Sequence, residues 1–442
     1  MLVYFYPDKN IFQKNTQLIR LIISVIVLTQ TCVIQLCVTQ TCVIQKKVVP
    51  LQRIFKHTSP MKSPQKELQK PFVFGQAIGD NHFIGREREQ QRLAANFAHG
   101  INTILMAPRR WGKTSLVKRT MAEIQSDNIK VVYIDAYFCR NEYEFYNHFA
   151  ESILHQTNSK FEQWTETAAE FLTRLTPKIS YNMPSSDEYS VSLGISPRTH
   201  SPEEVLQLPE FIAQRKNVHL IVCIDEFQQI GEFADSLTVQ KRMRSVWQHQ
   251  QHVNYCLFGS KKHLLQNMFL KSNYPFYKFG DIIPLEPIKE DLWIPYLQQG
   301  FRSWGKELPE EIAHQICTSV QLHPSYVQQL AWLTLLNTQQ VASEETLQLG
   351  IDDLINENAA LFIQQTEQLT PYQLNFLYAM LDGVDTDFGK ENIREQYQLG
   401  AYSNIARVKG ALVEKELIDT QTRSKVVFAD PVFALWLRKN MR

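Results

Sequence analysis

The fold is decided by the stretch Thr103-Ile104-Leu105-Met106-Ala107-Pro108-Arg109-Arg110-Trp111-Gly112-Lys113-Thr114-Ser115. Its first four residues predict a short buried β-strand, and the residues from Ser115 to Ile124 predict a helix. The loop between them matches the pattern G-x-x-x-x-G-K-[ST], except that Ala107 replaces the first glycine. Because alanine adds only one methyl group there, we interpret the departure as slight. A chance Gly-Lys-Thr at the start of a helix is the alternative.

The chemistry of this loop is that of a phosphate site. Backbone N–H groups must approach a phosphate closely, which favours Gly112, and the helix that follows directs its positive end at the anion. Lys113 is expected to contact the β- and γ-phosphates and to support catalysis, and the Thr114 hydroxyl is expected to bind Mg²⁺. The predicted nucleotide-binding residues of the loop are Ala107, Pro108, Arg109, Arg110, Trp111, Gly112, Lys113, Thr114 and Ser115.

A second motif lies about 110 residues further on, where two acids end the apolar run Leu220–Ile224. An acid at the carboxyl end of a strand stands where α/β sheets bind ligands. Asp225 is expected to hold Mg²⁺ through water, and Glu226 to orient or deprotonate the attacking water. An ordinary pair of acids between a strand and a turn is the alternative. Loop and acids together predict nucleotide binding and, less directly, hydrolysis.

Short β-branched runs alternate with longer helical patterns from Pro71 onward, which is typical of βαβ units and a parallel sheet. Each run is apolar on both faces, as expected for a strand that helices cover. The fold class predicted is therefore α/β. The predicted strands are Asn102–Met106, Lys130–Tyr137, His219–Ile224, Asn254–Phe258 and Asp281–Leu285.

The same pattern divides the chain. Residues 71–287 are predicted to form the sheet domain, with an insertion at about 155–217; residues 288–365 are predicted to be helical. Residues 366–442 show three helical stretches and a hairpin, the order of a winged helix. Around the insertion we predict helices at Phe145–Leu154, Trp164–Leu175 and Pro202–Gln214, and a hairpin at 179–193.

Composition excludes several classes of protein. The 442 residues carry 46 Lys and Arg against 45 Asp and Glu, which excludes a polybasic nucleic-acid coat and an acidic tail protein. The seven cysteines include no C-x-x-C pair, so we expect neither a disulfide framework nor a zinc site. Cys223 and Cys256 fall in strand-like runs, which indicates buried thiols in a reducing compartment and a cytoplasmic protein.

Residues 1–60 do not resemble the rest of the sequence. The segment Thr29–Gln35 recurs as Thr39–Gln45, which indicates a translated duplication rather than a folded unit. The uncharged stretch Leu21–Ile44 contains several Ser, Thr and Gln, so it is a marginal membrane span, and no small-x-small site follows it. We expect translation to start at Met61 and the membrane to be no partner; an anchor, a signal or a genuine disordered extension are the alternatives.

Three motifs together resemble those of the archaeal-type ATPases. They are Phe83–Glu89, the loop Pro108–Thr114 and Ile224–Gln228. That family consists of P-loop proteins of the AAA+ class (the ASCE group), related to origin-recognition ATPases and to STAND signalling NTPases. From about Pro71 to Arg442, the resemblance implies a parallel P-loop sheet, a helical lid at 288–365 and a C-terminal winged-helix domain. It also implies ATP as substrate and Mg²⁺ as cofactor.

The resemblance implies further site residues. Ile84, Gly85 and Arg86 would lie near the adenine, although a solvated helix start is the alternative for Arg86. Ser260 corresponds to the sensor 1 residue and would contact the γ-phosphate or the water, unless it merely caps the next helix. His323 would contact the nucleotide from the lid, although a histidine before proline is more often structural.

One departure from the family concerns the arginine finger. Relatives often carry an arginine where Lys278 stands here, and lysine is a point charge rather than a planar bidentate group. Arg242 and Arg244 are alternative candidates, as are Arg109 and Arg110 of the loop.

The sequence is compatible with more than one kind of partner. Residues 387–442 carry ten Lys and Arg against seven Asp and Glu, and Arg407, Lys409 and Lys415 lie off the apolar face of the helix predicted at Tyr402–Leu417. Duplex DNA binding is one interpretation; protein docking or a purely structural wing is the other. The functions weighed are an ATP-hydrolysing switch, a nucleotide-gated initiator-like DNA-binding protein, and a STAND-like scaffold that assembles into a homo-oligomer or binds an unknown protein client.

Overall fold

A computed structural model describes residues 70–76, 82–158, 201–420 and 425–441. Three predictions lie outside the described residues: the extension at 1–60, the helix at Trp164–Leu175 and the hairpin at 179–193.

Five parallel strands form the central sheet. They are β1 (Thr103–Met106), β2 (Ile129–Asp135), β3 (His219–Asp225), β4 (Val253–Gly259) and β5 (Asp281–Pro284). Their order across the sheet is β2-β3-β4-β1-β5. All five predicted strands are confirmed, with ends shifted by one or two residues. Because β4 lies between β1 and β3, the phosphate loop after β1 and the acids after β3 stand one strand apart at the same edge.

Seven helices and one 3₁₀ turn accompany the sheet among the described residues. The helices are α1 (Glu87–Ala98), α2 (Lys113–Ile124), α3 (Glu142–Thr157), α4 (Pro202–Leu206), α5 (Leu208–Lys216), α6 (Ser236–Trp247) and α7 (Lys262–Leu270), and the 3₁₀ turn is Phe227–Glu232. The single helix predicted at Pro202–Gln214 is wrong, since α4 ends at Leu206 and α5 begins at Leu208, ahead of Pro209. Proline is tolerated at the start of a helix, so it begins a second one there.

The strands bury both faces, as the apolar runs predict. Along β1, Ile104 packs with α3 to α7, whereas Leu105 packs on the opposite face with α1 and α2. Alternate residues of a strand point to opposite faces, so one short apolar run supplies two cores. The result is a sheet between two helical layers.

Four helices follow the sheet: α8 (Glu290–Ser303), α9 (Glu310–Ser319), α10 (Pro324–Asn337) and α11 (Glu344–Glu367). They match the helical segment expected at 288–365. The last segment contains α12 (Pro371–Leu381), α13 (Glu391–Gln396), α14 (Tyr402–Glu414), β6 (Ile418–Thr420), β7 (Val426–Phe428) and α15 (Pro431–Asn440). Three helices and an antiparallel hairpin confirm the winged-helix order.

The helical segment and the winged helix share one hydrophobic core. Phe362 at the end of α11 lies with its ring centroid 5.3 Å from that of Phe433 in α15, and Trp436 stacks on Phe433 at 6.2 Å. Helix α15 was not predicted from the sequence; its buried aromatics fasten the winged helix to α11.

Helix α14 is the third helix of the winged helix and directly precedes its hairpin. Val408 and Leu412 are buried, and the helix ends at Glu414 rather than at the predicted Leu417. Arg407 and Lys415 are exposed. Within the described ranges, no helix is both long and apolar enough to cross a membrane.

Candidate nucleotide site

One open cleft of about 490 Å³ runs along the carboxyl edge of the sheet, between the phosphate loop and the helices after β5. Its lining includes the loop residues Arg109, Arg110, Trp111, Gly112, Lys113, Thr114 and Ser115, the strand-end residues Asp225, Glu226 and Ser260, and the earlier residues Ile84 and Arg86. The cleft therefore brings together most of the site residues that the sequence predicts. Ala107, Pro108, Gly85 and His323 stand outside this lining.

The loop has the backbone that its sequence requires. Gly112 has φ +85°, and a Cβ built on it would meet nothing within 4 Å, so the glycine is required by its backbone conformation and not by crowding within the chain. Arg110 also adopts a left-handed conformation, at φ 61°. Helix α2 begins at Lys113, directly after this turn. A phosphate site needs a helix N-terminus in this place.

Lys113 is buried beneath the loop. Its Nζ donates hydrogen bonds to the carbonyl oxygens of Ala107, at 3.0 Å, and Pro108, at 2.6 Å. Burial lowers the pKa of Lys113 to about 8, while the nearby carboxylates of Asp225 and Glu226 oppose the shift. The side chain therefore carries a poorly solvated charge at the place where a phosphate would sit.

Asp225 is the centre of a hydrogen-bond cluster. Its Oδ2 accepts hydrogen bonds from Thr114 Oγ1 at 2.8 Å and from Tyr133 OH at 2.7 Å, and its Oδ1 accepts one from the Glu226 N–H at 2.8 Å. Burial raises the pKa of Asp225, although these hydrogen bonds oppose the shift. Sequence reasoning missed Tyr133; the only signal is that it lies on β2, next to the strand that ends in Asp225.

The Glu226 carboxylate is held by a neighbouring strand. Its Oε2 accepts hydrogen bonds from Ser260 Oγ at 2.9 Å, from the Ser260 N–H at 3.3 Å and from Gln228 Nε2. Ser260 makes no capping hydrogen bond to α7, whose N-cap is Lys261, so the capping alternative is wrong. A Cβ on Gly259 would stand 1.8 Å from Gln228 Oε1, so glycine at this strand end makes room for the amide. Gln228 lies within the motif Ile224–Gln228, but the sequence did not single it out as a site residue.

The segment Ile84–Arg86 connects the loop with the helical segment. Gly85 has φ +66°, and a Cβ there would lie 2.6 Å from Ile288 Cγ2. Arg86 is only 3% exposed, so it does not belong to a solvated helix start. It donates hydrogen bonds to the carbonyl oxygens of Glu286, at 2.5 Å, and Trp111, at 3.3 Å. Arg86 therefore fixes the loop against the chain that follows β5.

His323 lies beside the loop rather than in the lining of the cleft. Its ring centroid is 6.1 Å from that of Trp111 and 4.6 Å from that of Tyr326. Burial lowers the pKa of His323 to about 4, although a hydrogen bond with the backbone of Arg109 opposes the shift. The geometry gives His323 a place in the packing of the loop; its predicted contact with nucleotide stays a prediction.

A hydrogen bond and an ion pair connect the winged helix to residues near the cleft. Tyr326 OH, at the start of α10, donates a hydrogen bond to Asp430 Oδ2 at 2.6 Å, and the Arg110 side chain interacts with both. Lys262 Nζ, two residues after Ser260, lies 2.6 Å from Asp419 Oδ2 of β6.

The candidate arginine fingers differ in their surroundings. Arg242 forms ion pairs with Glu142 at 3.0 Å and Glu203 at 3.3 Å, so it holds α3, α4 and α6 together. Arg244 lies over the Phe279 ring at 4.9 Å. Lys278 is exposed, with its Nζ 5.4 Å from the centre of the Tyr277 ring.

Part of the cleft is lined by residues that the sequence did not single out. Gln328 of α10 accepts hydrogen bonds at its Oε1 from the Val73 N–H at 2.9 Å and from Tyr296 OH at 2.9 Å. His82 Nδ1 lies 3.0 Å from the same Tyr296 oxygen. These residues are remote in sequence and carry no motif.

Comparison with solved structures supports the fold. The chain is similar to a Walker-type ATPase of Pyrococcus abyssi, with a TM-score of 0.61 and 19% identity, over 83% of this chain and 99% of that one. The chain therefore shares the fold of that Walker-type ATPase. The Aeropyrum pernix ORC2 protein in ADPNP–ADP complexes gives a TM-score of 0.48 at 16% identity, over 84% of this chain and 98% of that one. No protein-family model and no curated protein matches the sequence.

Proposed function

We propose that this protein binds ATP with Mg²⁺ and hydrolyses it. The observation that carries the proposal is the convergence of Lys113, Thr114, Asp225 and Glu226 at one end of a single cleft. They come from two loops 111 residues apart, joined by the hydrogen bond from Thr114 to Asp225. A helix N-terminus, a buried ammonium group and two carboxylates at one place suit a triphosphate with its metal ion.

The donor set fits magnesium. Mg²⁺ prefers oxygen ligands and is usually held by one or two protein oxygens together with phosphates and water. The Thr114 hydroxyl and the Asp225 carboxylate are such oxygens, 2.8 Å apart. When bound, the ion would offset negative charge on the phosphates. Tyr133 positions the Asp225 carboxylate by its hydrogen bond.

Glu226 is the group that would take a proton from the attacking water. A carboxylate can orient a water and accept its proton as the water attacks phosphorus. Here the Glu226 carboxylate lies against Ser260 and Gln228, which hold it by hydrogen bonds. We infer that Ser260 and Gln228 position the base.

We propose further that nucleotide turnover acts as a switch. The helical segment and the winged helix share one core, so they should respond to the nucleotide as one body. That body touches the site through Tyr326, which contacts Asp430 beside Arg110, and through the ion pair between Lys262 and Asp419. A change at the phosphate loop or at Ser260 would therefore act on the position of the winged helix.

Two substitutions test the proposed activity. Lys113→Ala should weaken Mg·ATP binding by about a hundredfold or more, because a buried charged hydrogen-bonding group is lost. Glu226→Gln should leave binding intact and lower phosphate release about a hundredfold to ten-thousandfold, since the amide accepts no proton. Calorimetry with Mg·ATP and a phosphate-release assay give both readouts. Wild-type protein that takes up no Mg·ATP would refute the proposal.

A further inference from the structure

One part of the cleft, which we call the base end, contains a hydrogen-bonded chain of four residues: Val73, Gln328, Tyr296 and His82. They come from four separate parts of the chain: the segment at 70–76, α10, α8 and the residues before α1. Gln328 is 2% exposed and Val73 is 7% exposed, so their amide groups are held in a largely dry wall. All but Tyr296 line the cleft.

The chemistry of these bonds fixes which atom donates at each step. The Val73 backbone N–H can only donate, so the atom of Gln328 that it contacts must be the carbonyl oxygen. That oxygen can only accept, so Tyr296 must direct its hydroxyl proton at Gln328. The Tyr296 oxygen then accepts from His82, which must carry its proton on Nδ1. The tautomer of His82 is thus set by the Val73 backbone N–H, which is connected to it through three hydrogen bonds.

This chain of hydrogen bonds determines whether the Nε2 atoms of His82 and Gln328 act as donors or acceptors. With Nδ1 protonated, neutral His82 offers a lone pair at Nε2, which is an acceptor; Gln328 offers its Nε2 amide protons, which are donors. Burial lowers the pKa of His82, which favours the neutral ring. Among the described residues, neither Nε2 atom has a hydrogen-bond partner. Neither atom is one of the fully buried polar atoms that lack a hydrogen bond. Both residues line the cleft, so its wall contains an acceptor on His82 and a donor on Gln328, which are linked through Tyr296.

We propose that His82 and Gln328 recognise the base of the nucleotide and make the site selective for adenine over guanine. This inference rests on the proposed function. Adenine presents an amino group, a donor, beside a ring nitrogen that accepts. His82 Nε2 would accept from the amino group and Gln328 Nε2 would donate to the ring nitrogen. In the same orientation, guanine places its carbonyl oxygen against the His82 lone pair, and two acceptors meet.

The test is competition against a fluorescent ATP analogue bound to the full chain, with ATP, GTP and inosine triphosphate as competitors. Inosine carries the carbonyl oxygen of guanine but not its 2-amino group, so it separates hydrogen-bond mismatch from bulk. The quantity measured is the ratio of Kd for GTP or inosine triphosphate to Kd for ATP. We expect roughly tenfold to hundredfold preference for ATP, the range of a good two-point contact to a base.

Three variants assign the preference to the chain of hydrogen bonds. His82→Phe removes the acceptor and should bring both ratios close to one. Gln328→Glu keeps the acceptor for Val73 and Tyr296 but removes the donor, and should also lower both ratios. Tyr296→Phe frees the His82 tautomer and should lower them partly. His99→Phe is the matched control, because His99 is exposed after the end of α1 and contacts Ala95. A ratio does not depend on the folded fraction, so a destabilised variant still informs.

The outcomes separate this inference from the proposed function. If no triphosphate binds, the proposed function is wrong and the inference fails with it. If ATP binds in a Lys113-dependent manner but GTP and inosine triphosphate bind equally well, only the inference is overturned. It is likewise overturned if His82→Phe and Gln328→Glu keep the wild-type ratios.

Discussion

The two ends of the cleft are built by different means. The phosphate end relies on charge: a buried Lys113 and the carboxylates of Asp225 and Glu226 meet at the edge of a parallel sheet. The base end relies on neutral groups, with Tyr296 and Gln328 joined by a hydrogen bond between two helices. The phosphate end should therefore determine how tightly a triphosphate binds and whether it reacts, and the base end which triphosphate it is.

Of the effects that compare the two ends, the largest is expected from Asp225, the acid proposed to bind the metal at the phosphate end. Asp225→Asn removes a negative charge that Mg²⁺ needs but keeps an oxygen for the hydrogen bonds of Thr114 and Tyr133. We expect phosphate release to fall by about 10²–10³-fold, the loss typical of one preorganised electrostatic group in a catalytic site. Binding of ATP without magnesium should change little, and the gain in affinity on adding magnesium should disappear.

Asp135→Asn is the matched control for that experiment. Asp135 ends β2 in register with Asp225, at the same edge of the sheet, but it accepts a hydrogen bond from the Tyr137 N–H and does not line the cleft. An equal loss of turnover in the two variants would contradict the prediction. Turnover would then depend on any carboxylate at this edge of the sheet and not on Asp225 specifically.

This contrast explains how much could be predicted. The phosphate end follows from sequence because Gly112, Lys113 and Thr114 are adjacent, and because Asp225 ends an apolar run that must be a strand. The carboxyl ends of parallel strands share an edge, so these residues had to meet. The winged-helix order and all five strands were predicted in the same way, from periodicity.

The base end could not be predicted, because nothing local marks it. His82 and Tyr296 are 214 residues apart, and Gln328 is a neutral residue on a helix with no motif around it. Such contacts depend on how α8 and α10 lie against the segment before α1, which is a matter of tertiary packing. The same limit applies to Tyr133, whose partner Asp225 is a site candidate but whose own position carries no pattern. Gln228 lies within a motif, but its hydrogen bond to Glu226 depends on side-chain packing.

The second largest effect concerns His323, which lies behind the phosphate loop against Trp111. Its pKa is about 4 in the folded protein and about 6.5 when unfolded, so between these values only the unfolded chain binds the proton. The free energy of unfolding should therefore fall as pH decreases from about 6.5 to 4, by roughly 3 kcal/mol in total from this residue. Above pH 6.5 the residue should contribute no pH dependence.

Denaturant unfolding at pH 7 and pH 4.5 checks this, with His323→Gln as the variant. The variant should lose less stability on acidification than the wild type, since glutamine does not titrate, while the exposed His99→Gln should behave as the wild type does. Equal losses in wild type and His323→Gln would contradict the buried, neutral histidine that the structure describes.

The smallest effect is the pH dependence of the affinity for Mg·ATP, which tests whether charge acts only at the phosphate end. Lys113 has a pKa of about 8, so its charged fraction falls about tenfold between pH 7 and pH 9. Only the charged form attracts phosphates, so the affinity for Mg·ATP should fall by about the same factor over that range. The base end should contribute nothing, because the pKa of His82 is lowered from 6.5 and the ring is already neutral. Lys113→Arg should bind with no such loss, since a guanidinium stays charged.

Fluorescence titrations at constant ionic strength give the slope of affinity against pH. The His82→Phe variant should keep the wild-type slope while its preference among bases changes. A flat profile in the wild type, or a slope that disappears in His82→Phe, would mean that charge and base recognition are not divided between the two ends as the structure indicates.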